Sequence, residues 1–149
     1  MSKQQDFYQI SLKVILKNAQ GEMLILETDY GSTFAGFHDL PGGRINKDEF
    51  SVPLLEIIKR EISEEIGNID IVINEIPVAI GRHHVKKEHT RSKNDFHLLY
   101  VFYEARMNGG DITLSDEHEG FKWIDPEKIE LEKYFTSGIL EGMKMYLKK

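Results

Sequence analysis

Eight consecutive residues, Arg60-Glu61-Ile62-Ser63-Glu64-Glu65-Ile66-Gly67, carry the densest chemistry in this chain. At about 100° per residue in a helix, Glu61, Glu64 and Glu65 share an arc of roughly 100°, beside a stripe of Ile58, Ile62 and Ile66. Glu61 and Glu65 stand four residues apart, a like-charge pair that costs an isolated helix about 0.2–0.5 kcal/mol, and more where water is partly excluded. A hard divalent cation, Mg²⁺ or Mn²⁺, relieves that cost. Such ions take oxygen ligands, keep several waters and bind through a few carboxylates together with substrate phosphates. A solvated surface helix, in which Arg60 pairs with Glu64 one turn on, is the other reading of these residues. Pro41-Gly42-Gly43 upstream tips the balance toward the cation, because its backbone can approach a ligand closely and offers a glycine carbonyl as one more oxygen.

Gly43, five residues, Glu49, a spacer and then Arg60 to Gly67 resemble the Nudix box, the signature of the Nudix hydrolases typified by MutT. The box covers about 25 of the 149 residues. Two positions depart from it: the spacer Phe50 to Lys59 is three residues longer than is usual in the family, and Asn68 stands where an apolar residue is usual. The extra residues are expected to lengthen the loop that enters the helix. The resemblance implies hydrolysis of the pyrophosphate bond in a nucleoside diphosphate linked to another moiety: a nucleoside triphosphate, a dinucleoside polyphosphate or a nucleotide sugar. It also implies Mg²⁺ or Mn²⁺ held by Glu61, Glu64, Glu65 and the Gly43 carbonyl, with Arg60 orienting the carboxylates, Glu49 as its partner, and Glu61 or Glu64 as the general base. Carboxylate-held Mg²⁺ neutralises phosphate oxygens and aligns the attacking water, which is what phosphoryl transfer needs. A non-catalytic Nudix-fold module that binds a nucleotide as sensor or recruiter is the alternative. Three clustered carboxylates argue against it.

Leu114 to Trp123 resembles the segment before a late strand in many Nudix enzymes, where a glutamate adds a further carboxylate to the metals; Glu117 is the expected ligand there, in preference to Glu119. An acidic surface loop is the competing reading. Arg82, His83, His84, Lys86, Lys87, Arg91 and Lys93 form a basic run in an acidic chain. Of these, Arg82, His84 and Lys86 are expected to meet the substrate's outer phosphates, with a solvated strand end as the other possibility. Zinc at His83-His84 is not expected, since neighbouring strand residues point to opposite faces and no third ligand has suitable spacing. Tyr30, Phe34, Phe37 and His38 either stack on a nucleobase or pack in the core.

The elements that must position these residues follow from periodicity. Ile10, Leu12, Val14 and Leu16 alternate with Ser11 and Lys13, a strand with one buried face, and Asn18-Ala19-Gln20-Gly21 turns into a second strand at Met23-Leu24-Ile25-Leu26. A Gly-rich loop through Tyr30, Gly31, Gly36 and Pro41-Gly42-Gly43 follows. From Pro53 to Ile66, Leu55, Ile58, Ile62 and Ile66 recur at helical steps, with Pro53 at the start and Gly67 at the end. Ile69 to Ile80 and Phe96 to Arg106 read as strands with a basic loop between them, Asn108-Gly109-Gly110 as a turn and Phe121 to Ile124 as a short strand. Asp125-Pro126 reads as a helix cap. A terminal helix, capped by Thr136 or Ser137, buries Ile139, Leu140, Met143, Tyr146 and Leu147 and ends on Lys148 and Lys149. The order is mixed α/β (α+β), matching the family's α/β/α sandwich with a mixed central sheet, and residues 1–149 read as one domain.

Composition narrows the partners. Nineteen Lys and Arg against 25 Asp and Glu give a charge of −6, which disfavours a grip on polymeric nucleic acid. The absence of cysteine excludes disulfide scaffolds, thiolate-bound zinc and cysteine nucleophiles. No apolar run approaches the ~20 residues of a membrane span, and the polar start Met1 to Asp6 lacks a signal core, so a cytoplasmic protein is expected. The expected partner is a small-molecule nucleotide, and a homodimer is consistent with the family likeness.

Overall fold

The computed structural model describes residues 3–28, 35–90 and 92–148. Tyr30, Gly31, Phe34, Arg91 and Lys149, named above, lie outside them. Among the described residues, eight strands form one mixed sheet: β1 (Tyr8–Lys17), β2 (Met23–Glu27), β3 (His38–Asp39), β4 (Gly42–Arg44), β5 (Asp70–Ile73), β6 (Ala79–Val85), β7 (Phe96–Gly109) and β8 (Gly120–Ile124). The helices are α1 (Leu54–Ile66), α2 (Leu131–Tyr134) and α3 (Ser137–Leu147). Parallel pairing of β1 with β7 runs from Tyr8 opposite His97 to Lys17 opposite Arg106, and the other pairs are antiparallel.

The strand β1 is buried on both faces, where alternation predicted one. Leu12, Val14 and Leu16 pack with Ile57, Ile58, Ile62 and Ile66 of α1, whereas Ile15 joins Tyr100, Phe102, Ile139 and Met143 under α3. Helices on opposite faces of one sheet make the expected sandwich. Each of the four α1 isoleucines is at most 2% exposed, so each contributes about 1.5–3 kcal/mol of burial. Pro53 begins α1 by accepting the Glu56 and Ile57 N–H groups, and Gly67, at φ +92°, ends it.

Several boundaries differ from expectation. The stretch Ile69 to Ile80 divides into β5 and β6 around Pro77, a residue that cannot donate to a ladder. Arg82, His83 and His84 then lie within β6, not in a loop. Asp125 caps a turn, its Oδ1 accepting the Glu127 N–H at 3.0 Å, and the next helix waits until Leu131. Strand β7 continues through Asn108 and Gly109, where a turn was expected.

Candidate active site

Strand β1 changes neighbours along its length. Its first half pairs with β4, Leu12 opposite Gly43, and its end pairs with β2, Lys17 opposite Met23. A cleft of about 530 Å³ opens beside this divide, lined among others by Lys13, Asp39, Gly43, Arg44, Glu61, Glu65, Glu117 and His118. Gly42 and Gly43 let α1 and β1 close on one another here. A Cβ on Gly43 would lie 2.1 Å from Glu61 Oε2, and one on Gly42, whose φ is +140°, would lie 1.9 Å from the Leu12 carbonyl oxygen.

Arg60 organises the helix side. Its Nε and Nη2 donate to the two carboxylate oxygens of Glu49 at 3.0 and 2.8 Å, a bidentate pair, and Nη1 lies 3.0 Å from Glu61 and 3.2 Å from Glu64. The longer spacer therefore leaves the Glu49–Arg60 partnership intact: a 3₁₀ turn at Lys47–Glu49 closes on Asn46, whose N–H donates to Glu49 at 2.8 Å, and the surplus residues bulge out so that Phe50 is exposed. The Asn46 N–H and then Arg60 hold the Glu49 carboxyl below its ordinary range. Burial pushes that of Glu61 up, against the pull of Arg60.

The opposite wall is delivered by the chain from Asp111 to Glu119. Thr113 and Ser115 donate their N–H groups to the Ile66 and Glu65 carbonyls, both at 2.9 Å, using acceptors that the end of α1 leaves free. That docking sets Glu117 and His118 over Glu65, and ligand atoms of the three lie within 4.8 Å of one another. His118 Nε2 is 3.5 Å from Glu65 Oε1, and the carboxylate holds the imidazole above its ordinary range although burial opposes it.

Of the residues singled out from sequence, Gly43, Glu61, Glu65 and Glu117 come together on the cleft. Arg60 braces it from behind, and Glu64 stands at the outer side of α1, its side chain 62% exposed. Arg82, His84 and Lys86 are not among its lining residues. Alternation along β6 turns Gly81, His83 and Val85 inward and leaves Arg82 and His84 exposed, with Lys86 beyond the strand end. The basic residue types among the cleft's lining residues are Lys13, Arg44, His89 and His118, which the sequence reading did not select. Lys13 is 6% exposed and pairs with Asp39 at 2.9 Å, its Nζ 5.7 Å from the centre of the Tyr100 ring. Its signal was present but unused: a lysine two residues from Ile15 on the same strand face.

The NUDIX domain family matches residues 7–142 of this chain. The chain belongs to that family. Similar proteins include the nucleoside triphosphatase NudI of Salmonella newport and of Salmonella typhi, each 24% identical over 119 residues, or 78% of this chain and 82% of the relative. Among solved structures, a MutT protein from Methanosarcina mazei has a TM-score of 0.67 at 26% identity, covering 98% of this chain and 97% of that one. An ADP-ribose pyrophosphatase from Streptococcus suis shares the fold, with a TM-score of 0.62 at 17% identity over 95% of this chain and 91% of that one. As a Nudix hydrolase, the chain cleaves pyrophosphate bonds in nucleotide derivatives. Nudix hydrolases generally use divalent metals, and the side chains here suit one: buried Glu65 Oε1 accepts no hydrogen bond among the described residues, with His118 Nε2 at 3.5 Å and Glu117 facing it.

Proposed function

We propose that this Nudix hydrolase converts a nucleoside triphosphate by attack of water on the phosphate chain, with Mg²⁺ or Mn²⁺ bound. The carrying observation is the buried Glu65 carboxylate, whose Oε1 accepts no hydrogen bond among the described residues and has only the His118 imidazole at 3.5 Å, beside Glu117 and on the same cleft as Glu61, a concentration of negative charge that a hard cation neutralises. Glu65 and Glu117, with the Gly43 carbonyl, are the oxygen donors for it, and Glu61 on the same cleft is kept as the base. When bound, the ion neutralises the phosphate oxygens and lowers the cost of charge building on the bridging oxygen.

The chain's own residues do the rest. Glu61, fixed between Gly43 and Arg60 and half-buried, accepts the proton of the attacking water as the P–O anhydride bond breaks, its electron pair leaving with the departing phosphate group. Arg60, anchored on Glu49, positions Glu61. Lys13 and Arg44 meet the phosphate oxygens, and Asp39 keeps Lys13 in place. The triphosphate class is favoured by likeness to NudI, the nucleoside triphosphatase, ahead of dinucleoside polyphosphates and nucleotide sugars. Residues 1–149 act as one cytoplasmic domain in this reading, and no helix among the described residues is long and apolar enough to cross a membrane.

The test is product analysis over a panel of nucleoside triphosphates, dinucleoside polyphosphates and ADP-ribose, each with Mg²⁺ and with Mn²⁺. Metal-dependent turnover fastest on a triphosphate is expected. Faster cleavage of another class would overturn the substrate assignment, and nucleotide binding without turnover of any compound would favour the sensor alternative.

A further inference from the structure

Outside the lining of the cleft, His84 of the edge strand β6 and His97 of β7 are direct cross-strand partners. Their rings meet edge to face, centroids 5.0 Å apart, with His97 Nε2 3.2 Å from His84 Nδ1. Each ring's other nitrogen faces a carboxylate: His97 Nδ1 lies 2.5 Å from Asp6 Oδ2, and His84 Nε2 lies 2.8 Å from Asp95 Oδ2. Asp95 is itself fixed, its second oxygen accepting the Lys87 N–H at 3.0 Å. Tyr8, beside His97 in the parallel register, lays its ring at 5.4 Å from the His97 ring. The four side chains form a row, Asp6, His97, His84, Asp95.

Counting hydrogens shows what this row lacks. Three polar contacts in series need three hydrogens, and two neutral imidazoles carry two. With both carboxylates accepting an N–H, His97 Nε2 and His84 Nδ1 are left as two lone pairs facing each other. Either an added proton or a cation must lie between them. Two imidazole nitrogens at about 2.0–2.1 Å from a tetrahedral ion are about 3.3 Å apart, close to the spacing seen here. Histidine that binds metal through one nitrogen characteristically gives its other N–H to a carboxylate, which fixes tautomer and ring orientation. Both rings have that support, and both side chains are open to solvent.

We propose that His84 and His97 form a second metal site, selective for a borderline cation of the Zn²⁺ type, with Asp6 and Asp95 as orienting partners and water completing the coordination. Imidazole nitrogens suit Zn²⁺, Cu²⁺ and Ni²⁺, whereas the cleft's donors are mostly carboxylate oxygens, with His118 as the imidazole beside them, and suit Mg²⁺ or Mn²⁺, so the two sites differ in ligand type. Neither histidine lines that cleft, and the assignment is independent of the hydrolytic reading. It also gives the exposed side of β6 a partner that sequence spacing concealed, since His97 lies 13 residues from His84 and meets it only through strand pairing.

The test is Zn²⁺ titration of the whole chain in excess Mg²⁺, read by nitrogen-15 NMR of the imidazoles and by calorimetry. One equivalent should shift the His84 Nδ1 and His97 Nε2 resonances, and His84→Gln or His97→Gln should remove that step. Asp6→Asn and Asp95→Asn should weaken it about 10- to 100-fold, whereas Glu65→Gln should leave the two imidazole shifts in place. Wild-type resonances of His84 and His97 that stay still at one equivalent would overturn the site without recourse to any variant. So would Zn²⁺ affinity that survives His97→Gln unchanged, or that disappears in Glu65→Gln.

Discussion

Single side chains in the cleft divide into those that touch reacting atoms and those that hold them. Glu61 is assigned the water's proton, so Glu61→Gln should lower kcat by about 10²- to 10⁴-fold at saturating Mn²⁺, with KM and melting temperature near wild type. Glu65→Gln should instead raise the Mn²⁺ concentration for half-maximal rate by about tenfold or more, because it removes a donor oxygen and not the base. Equal metal requirements in the two variants, from initial rates across a Mn²⁺ series, would contradict that division of roles. Lys13 has a double part. Breaking its buried pair with Asp39 by Lys13→Met should cost about 3–5 kcal/mol, read by urea unfolding, since an uncompensated carboxylate stays inside. Combining Lys13→Met with Asp39→Leu should restore much of that stability and none of the turnover, separating the phosphate contact from the packing.

Elements set where those side chains can stand, and here the reach of the sequence varies with the range of the interactions. Helix α1 was readable because its signals are local: an isoleucine stripe, Pro53 and Gly67. The carboxylates travel with it. Lys13 and Asp39 were not readable, because their pairing depends on β3 joining the sheet beside β2, and His118 depends on a loop docking against the end of α1. The same limit hid the two-sided burial of β1, since period-2 patterning reports alternation and not what covers each face. The β1–β4–α1 contact gives a prediction at this scale. Gly43→Ala places a methyl where the Glu61 carboxylate sits, so it should reduce kcat about as far as Glu61→Gln while the fold survives, the flexible side chain yielding. Gly42→Ala meets the Leu12 backbone and keeps a positive φ, so it should cost about 3 kcal/mol of stability. Melting temperatures and rates measured on both proteins test the contrast; a stable, fully active Gly42→Ala would show that β1 and β4 are not held this closely.

For the whole molecule, the two cores share one sheet, and buried histidines link that packing to pH. His83, on the inward face of β6, has Nδ1 2.7 Å from Ser137 Oγ at the start of α3, and burial, reinforced by His84 and Arg44, holds its imidazole below the ordinary range. His38, beside Tyr134, is lowered by burial as well. For both, the unfolded chain binds a proton at a pH where the folded chain does not, so unfolding takes up protons and stability rises with pH through that interval. The window runs from the lowered folded values up to about 6.5, the unfolded histidine value. His118 acts in the opposite sense: its raised folded value adds stability that is complete below about 6.5 and is lost as pH climbs through the folded value. The raised Glu61 carboxyl acts in the same sense as His118, so the contributions oppose one another and substitution isolates the share of His83. Urea unfolding of metal-free wild type and of a His83 variant at pH 5.5 and at pH 7 reads that share. In His83→Gln, which keeps a polar group near Ser137 but cannot titrate, the unfolding free energy should rise less, or fall more, from pH 5.5 to pH 7 than in wild type. An unchanged slope would mean that the β6–α3 contact is insensitive to the charge on His83.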